Sequence, residues 1–293
     1  MKRLLILSGK GGTGKTTVSA ALIKLSNTKA VADCDVDAPN LHLVMKQSIE
    51  PQRIEFMGGN KANVNNDLCI GCGICENKCR FDAIHIKKEK AVANEFSCEG
   101  CGVCEYVCPA NAIKLMPDVA GERELYKEKG VFSTATLKMG RGNSGKLVTE
   151  VKLDMLKSAP ECELAIVDGS PGIGCPVMAS TSGMDLVLVV AEPSKSGISD
   201  LKRLVKTVKS FNVDILVCIN KYDVSPSNTN EIEAYCTEEK IPLVGKIPFD
   251  KEAVYAVNSG HTIVDVDCPA GNEIKEIYRV ILNHKISHKI NIY

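Results

Sequence analysis

Eight cysteines stand in two runs with one spacing. Cys69, Cys72, Cys75 and Cys79 follow C-x2-C-x2-C-x3-C. Cys98, Cys101, Cys104 and Cys108 repeat it, with Pro109 after the last. Thiolates are soft, charged ligands that suit iron. Three closely spaced cysteines wrap one corner of a four-iron cube, and in paired runs the fourth cysteine of each serves the other cube. The spacing therefore predicts one [4Fe–4S] cluster on Cys69, Cys72, Cys75 and Cys108, and a second on Cys98, Cys101, Cys104 and Cys79. Gly71, Gly73, Gly100 and Gly102 let the backbone turn tightly and aim N–H groups at sulfur. Zinc competes for such cysteines, but its sites usually pair two C-x2-C units through a longer spacer, so two complete runs favour iron. Arg80 follows Cys79 where a proline follows Cys108. All four thiolates of the second set remain, so that cluster is expected to persist, its potential raised slightly by the cation.

A second constellation lies near residue 10. Gly9-Lys10-Gly11-Gly12-Thr13-Gly14-Lys15-Thr16 fits G-x-x-x-x-G-K-[ST] between an apolar run, Leu4–Ser8, and a helical stretch from about Gly14 to Leu25. That loop binds the phosphates of a nucleotide. Backbone N–H groups of Gly11, Gly12, Thr13 and Gly14 cradle phosphate oxygens, and the helix N-terminus adds partial positive charge. Lys15 is expected to reach the β- and γ-phosphates and the Thr16 hydroxyl to hold Mg2+, with Thr17 beside it in the nucleotide-binding set. ATP and Mg2+ are the expected ligands.

Both constellations need a frame. The chain has 293 residues, and Lys+Arg equals Asp+Glu at 36 each, so no charge excess points to nucleic acid. The N-terminal apolar run is too short for a signal peptide, and no run approaches the ~20 residues that span a bilayer. A cytoplasmic setting is expected, where clustered cysteines bind metal. Strands are predicted at Leu4–Ser8, Ala30–Asp33, Leu164–Asp168, Leu186–Ala191, Ile215–Asn220 and Leu243–Ile247. Helices are predicted near 145–158, 176–182, 196–210, 228–240 and 272–284. The alternation argues for an α/β, doubly wound, mostly parallel sheet. Glu122–Met139 reads as a hairpin around Lys129-Gly130, and Asn60–Asn66 as a polar loop. The cysteine runs repeat with a period of 29 residues, tails included, so they form one duplicated α+β unit. The expected division is a discontinuous nucleotide-binding domain, 1–55 and 120–293, with residues 56–119 as an insertion.

Lys-Gly-Gly-Thr-Gly-Lys-Thr, with its early Lys10, resembles the deviant Walker A motif of the MinD, ParA and nitrogenase iron protein superfamily of P-loop ATPases. The insertion is similar to a bacterial ferredoxin. The resemblance covers nearly the whole chain. It implies that Lys10 reaches the partner's nucleotide across a homodimer. Asp33-Cys34-Asp35-Val36-Asp37 looks like the first switch, with Asp35 orienting the attacking water and supporting Mg2+. Asp168 resembles the Walker B aspartate in the second shell of Mg2+, and Gly169–Gly172 the second switch. Asn220 is expected at the nucleotide base, although Asn220-Lys221-Tyr222-Asp223 also has the N-K-x-D spacing used for guanine, which leaves GTP open. Pro248, in Lys246–Asp250, resembles the loop beside adenine.

The family implies ATP hydrolysis, a nucleotide-dependent homodimer and redox donor and acceptor proteins whose identity the residues do not name. An ATP-gated electron-transfer protein is the leading expectation. An ATP-dependent iron–sulfur scaffold or carrier and a MinD/ParA-like positioning ATPase stand beside it. Asn272–Tyr293 carries Ile274, Ile277, Val280 and Ile281 at helical spacing with Lys285 and Lys289 beyond. Packing on the core accounts for this face more simply than a membrane. Cys175 precedes Pro176 at a predicted helix start, seven residues after Asp168. It corresponds in offset to a cluster ligand of the nitrogenase iron protein, but no second cysteine accompanies it.

Overall fold

The computed structural model describes residues 1–45 and 47–286. In chain order the elements are β1 (Lys2–Leu7), α1 (Lys15–Ser26), β2 (Ala30–Asp33), β3 (Gln52–Val64), α2 (Ile74–Lys78), β4 (Ile84–Lys87), β5 (Lys90–Ala93), α3 (Val103–Tyr106), β6 (Ile113–Lys127) and β7 (Val131–Leu137). There follow α4 (Ser144–Ser158), β8 (Leu164–Asp168), α5 (Cys175–Thr181), β9 (Leu186–Ala191), α6 (Lys195–Lys209), β10 (Asp214–Asn220), α7 (Pro226–Glu238), β11 (Leu243–Ile247), α8 (Lys251–Asn258) and α9 (Pro269–Asn283).

The chain separates into two compact units, Met1–Arg53, Arg123–Thr136 and Ser144 onward, and Ile54–Glu122 with Leu137–Asn143. In the first unit β1 pairs in parallel with β8 and β9, β10 with β9 and β11, and β2 with β8 and β7. This is the doubly wound, mostly parallel α/β sheet. Its strands read as unbroken apolar runs because helices cover both faces. Leu4 and Ile6 of β1, Leu186, Leu188 and Val190 of β9 and Ile274, Ile277 and Ile281 of α9 lie in one buried core. That contact takes up Ile274, Ile277 and Ile281 of α9 but leaves Val280 exposed, and Lys289 lies outside the described residues. Among the described residues no helix is long and apolar enough to cross a membrane.

The parallel register brings chemistry to one edge. Asp168 pairs with Ile6 of β1 and with Asp33 of β2, so both carboxylates stand where the strands end beside the glycine-rich turn. Asn220 ends β10 opposite Ile247. Ligands of such sheets sit outside these carboxyl ends.

The second unit holds both cysteine runs, the two-stranded sheet β4–β5 and a small core of Cys69, Cys75, Ile84, Ala91, Ala112 and Ile113. The expected polar loop at 60–66 is largely strand, since β3 runs to Val64. The strand ends the sheet order next to β6, so its backbone pairs although its residues are polar. Gly58 permits the approach, because a Cβ there would lie 2.3 Å from Ala120 Cβ. Residues 137–143 group with this unit although they follow β7. Lys138 N donates to Ala120 O at 2.8 Å, and Arg141 lies 3.1 Å from Asp118 and 2.5 Å from Glu95.

Candidate nucleotide cleft and thiol cavities

A cleft of about 700 Å3 opens at the strand ends of the first unit. Gly11, Gly12, Thr13, Gly14, Lys15, Thr16 and Thr17 form one wall, Asp35, Ser170 and Asn220 a second, and Ile247, Pro248, Phe249 and Val254 an apolar end. The size and the mixture of polar and apolar walls suit a nucleotide. Gly14 caps α1 with φ +91, and a Cβ there would lie 2.2 Å from Asn220 Nδ2, so only glycine fits. Thr13 keeps a buried Oγ1 with no hydrogen-bond partner among the described residues. A buried polar atom left unpaired in such a cradle fits a ligand that supplies the partner.

Asp168 organises the floor. It accepts from Thr16 Oγ1 at 2.9 Å and Ser19 Oγ at 2.6 Å, and Lys15 Nζ lies 2.8 Å away. The expected lysine, threonine and carboxylate thus meet at one point. Ser19 was not singled out from sequence, because a serine inside a helix carries no motif signal. Asn220 Nδ2 donates to Thr13 O at 2.7 Å, so this amide fastens the phosphate loop instead of reaching toward a base. Asp223 Oδ1 accepts from Phe249 N at 2.7 Å and holds the loop that carries Pro248. In this arrangement the N-K-x-D residues are structural braces.

The loop after β2 is built around Asp33, which is buried. Its carboxylate accepts from the N–H groups of Asp35, Asn40 and Leu41 at 3.0, 3.2 and 3.0 Å. Burial, and then the neighbouring Asp168, push the Asp33 carboxyl up to about 7. Burial likewise raises Asp35 to about 6, with Lys15 opposing and Asp168 and Asp37 adding. Asp35 faces the cleft, while Asp33 sets the backbone that presents it. Across the loop, Ser170 Oγ donates to Cys34 O at 2.5 Å, which ties the two expected switch segments together.

Lys10 stands apart from the cleft. Its Nζ donates to Ser194 Oγ at 3.0 Å and Ser196 Oγ at 3.2 Å, with Glu192 3.6 Å away. Lys152 of α4 was not anticipated. It is buried, and its Nζ donates to the carbonyls of Ala179, Ser180 and Ser182, at 2.7, 2.9 and 2.5 Å, where α5 ends. Burial lowers its pKa to about 8, while three acceptors call for all three N–H donors of the ammonium form. Cys175, at the start of α5, is exposed.

The second unit contains two thiol cavities. One is lined by Cys69, Cys72, Cys75 and Cys108, the other by Cys79, Cys98, Cys101 and Cys104. Each thus gathers three cysteines of one run and the last of the other. Among the described residues no three His, Cys, Asp or Glu side chains converge on a point that would suit a single metal ion. Backbone N–H groups are directed at the sulfurs. Ala91 N donates to Cys69 Sγ, Ala62 N and Gly100 N to Cys98 Sγ, and Ala83 N to Cys79 Sγ, each at 3.4 Å, and Ala112 N to Cys108 Sγ at 3.3 Å. The N–H groups of Ala91 and Gly71 hold the Cys69 thiol below its usual range, whereas burial pushes Cys75 and Cys104 up. Thiols spaced around a cavity, with N–H donors on sulfur, fit thiolate ligation of a many-atom cluster.

The 29-residue period extends beyond the cysteines. Lys61 Nζ donates to Cys98 O at 2.5 Å and Lys90 Nζ to Cys69 O at 2.6 Å. Asn65 Oδ1 accepts from Asp67 N, and Asn94 Oδ1 from Phe96 N. Glu76 accepts from Ile86 N and Glu105 from Leu115 N. A Cβ on Gly71 would lie 2.3 Å from Glu89 O, and one on Gly100 2.1 Å from Asn60 O. The cysteines and glycines were visible in the sequence. The lysines, asparagines and glutamates that fasten their loops were not.

Comparison with known proteins adds four findings. The family model described as the CobQ/CobB/MinD/ParA nucleotide binding domain matches residues 4–263. An uncharacterized protein of Methanocaldococcus jannaschii is 34% identical over 281 residues, covering 94% of this chain and 95% of its own. An iron-sulfur cluster carrier protein of Pyrococcus abyssi is 22% identical over 298 residues, covering 96% and 85%. Among solved structures, the septum site-determining protein MinD complexed with Mg-ADP, from Pyrococcus horikoshii, superposes with a TM-score of 0.58 at 18% identity, over 96% of each chain. That likeness is one of fold.

Proposed function

This chain belongs to the CobQ/CobB/MinD/ParA nucleotide-binding family of P-loop ATPases, and from that premise we propose that it is a cytoplasmic ATPase that couples a nucleotide-dependent homodimer to electron transfer through two [4Fe–4S] clusters. The observation that carries this reading is the pair of thiol cavities, each lined by four cysteines drawn crosswise from the two runs, in the chain that also holds the nucleotide cleft.

The phosphate loop binds the nucleotide through Gly11–Thr17, Lys15 neutralises the terminal phosphates, and Thr16 with Asp168 holds Mg2+. Asp35 orients water toward the γ-phosphate. Lys10 leaves Ser194 and Ser196 to engage the nucleotide of a second copy, and Pro248 packs beside the base. Cys69, Cys72, Cys75 and Cys108 would hold one cluster, and Cys98, Cys101, Cys104 and Cys79 the other. Such clusters store and pass single electrons. The N–H donors of Ala91 and Gly71 favour the thiolate of Cys69, and further backbone N–H groups are already directed at the sulfurs of Cys79, Cys98 and Cys108.

A cluster-carrier function is the second reading, favoured by the name of the Pyrococcus abyssi relative. Eight thiols gathered as four to each of two cavities fit resident clusters better than cargo. The deciding experiment is anaerobic purification, iron analysis and EPR with Mg-ADP and with a non-hydrolysable ATP analogue. About eight iron per chain and a signal that shifts with nucleotide support gated electron transfer. Transfer of the iron and sulfide to an apo-acceptor supports the carrier. Few iron after careful handling refutes both.

A further inference from the structure

The duplication makes the second unit its own control. Residues 60–88 and 89–117 share backbone contacts at a spacing of 29, so side-chain differences between equivalent positions reveal what each thiol cavity faces. Around the loop of the second run the equivalent positions are polar. They are Ser97 and Glu99 beside Cys98, and Gly58-Gly59 on the strand that packs over Gly100. This side is also braced by residues 140–143, with Glu99 and Cys101 left exposed. Asn143 Nδ2 donates to Gly58 O, Arg141 pairs with Glu95 and lies 5.3 Å from the Phe96 ring, and Gly58, Glu99, Gly140 and Asn143 enclose a small cavity.

At the first run the same positions hold Leu68 and Ile70, and Lys87-Lys88. Leu68 is 51% and Ile70 69% exposed, and they flank Cys69 beside the exposed Cys72. Lys87 and Lys88 are exposed on the turn whose next residue, Glu89, packs against Gly71 of that loop. The charge differs in the same sense. Lys87 and Lys88 stand where Gly58 and Gly59 stand on the other side, and Ile70 stands where Glu99 does. Thus one loop carries Glu99 and is braced by Arg141 and Asn143, and the other carries an exposed apolar pair beside two exposed lysines. A small apolar centre with a charged rim is how transient electron-transfer complexes associate quickly without binding tightly.

We propose that Leu68, Ile70, Lys87 and Lys88 form the docking face for a small acidic one-electron carrier with a reduced iron–sulfur centre near its own surface. The inference rests on the two-cluster reading above. One electron leaves the carrier's centre, which is oxidised by one, and is accepted at the group held by Cys69, Cys72, Cys75 and Cys108. No bond is made or broken and no proton moves. The rim lysines steer the acidic carrier, and the apolar pair excludes water at contact.

The test uses the full chain, purified anaerobically, with a pre-reduced plant-type [2Fe–2S] ferredoxin as the probe. Iron content and EPR first establish the two clusters. If they are absent, the two-cluster reading and this inference fall together. With the clusters present, stopped-flow absorbance gives the rate of electron uptake, and calorimetry gives binding of the oxidised probe. The variant L68S/I70E installs the residues of the second repeat, which already occupy the same loop conformation. It and K87Q/K88Q are expected to slow uptake at least tenfold and to weaken probe binding, with iron content and reduction by dithionite unchanged. Raising the salt from 50 to 300 mM should slow the native chain and leave K87Q/K88Q nearly unaffected. Unchanged uptake in both variants overturns the proposal while leaving the clusters in place. So does a loss seen in E95Q/E99Q instead, or a face whose substitution abolishes self-association but leaves probe binding intact.

Discussion

Asp35 offers the most direct handle on the nucleotide cleft. Burial lifts its carboxyl from 3.8 to about 6, the Lys15 ammonium opposing and the Asp168 carboxylate adding. A group that orients water toward phosphate acts as the carboxylate. On that pKa about ten elevenths of Asp35 is ionised at pH 7 and about one eleventh at pH 5, so kcat/KM for ATP, which reports the free enzyme, should fall about tenfold across that interval. The sign separates this from acid unfolding. A carboxyl whose folded pKa exceeds its unfolded value contributes stability that is fully present below about 4 and lost as pH rises through about 6, so Asp35 favours the fold where activity declines. Asp33, raised to about 7 by burial and by Asp168, titrates nearby through the same loop. D33N removes this second titration and one of the two acceptor oxygens, since Oδ1 serves Asp35 N and Oδ2 serves Asn40 N and Leu41 N, so any acid limb left near 6 in D33N belongs to Asp35. The assay is steady-state phosphate release from pH 5 to 8.5 in a constant-ionic-strength buffer, with thermal midpoints at each pH. D35N should give a low, flat profile. A limb near 4 in the native chain, or an acid limb near 6 that survives in D35N, would refute the assignment of Asp35.

Three other outcomes follow from distances already given. C108A should damage the cluster on Cys69, Cys72 and Cys75, not the one on its own run, and C79A should do the reverse. EPR after sequential reduction distinguishes this from damage to the adjacent run. K152M leaves three carbonyls at the end of α5 without their donor and should cost about 2–4 kcal/mol, seen as a drop of roughly 5–10 °C in the thermal midpoint. G14A places a Cβ 2.2 Å from Asn220 Nδ2 at φ +91, and fluorescent-nucleotide titration should show at least tenfold weaker binding.

The parts read most readily from sequence are those in which one physical demand selects one residue type. Strands Leu164–Asp168, Leu186–Ala191 and Leu243–Ile247 run as the apolar pattern predicts, because a parallel strand covered on both faces tolerates little else. β3 escaped because its C-terminal half, Gly58–Val64, is mostly glycine and polar residues, while its backbone joins the end of the sheet order. α8 is eight residues long, short for a periodic signal. The site divides in the same way. Phosphate contact through backbone N–H requires glycine, and iron requires thiolate, so both appear as motifs. The groups that aim them act through ordinary hydrogen bonds, and many residue types can make those. Lys61 and Lys90 look like any surface lysine until each is found on the carbonyl of the first cysteine of the opposite half of the repeat. Their equivalence sharpens the meaning of the positions that differ. The duplication preserved the lysines, asparagines and glutamates that shape each loop, while the residues at 68, 70, 87 and 88 diverged from those at 97, 99, 58 and 59. A loop that only enclosed a cluster would have no physical need to turn apolar and basic on one side alone. The divergence is what a partner meeting that side from solution would require, as the proposed docking face has it.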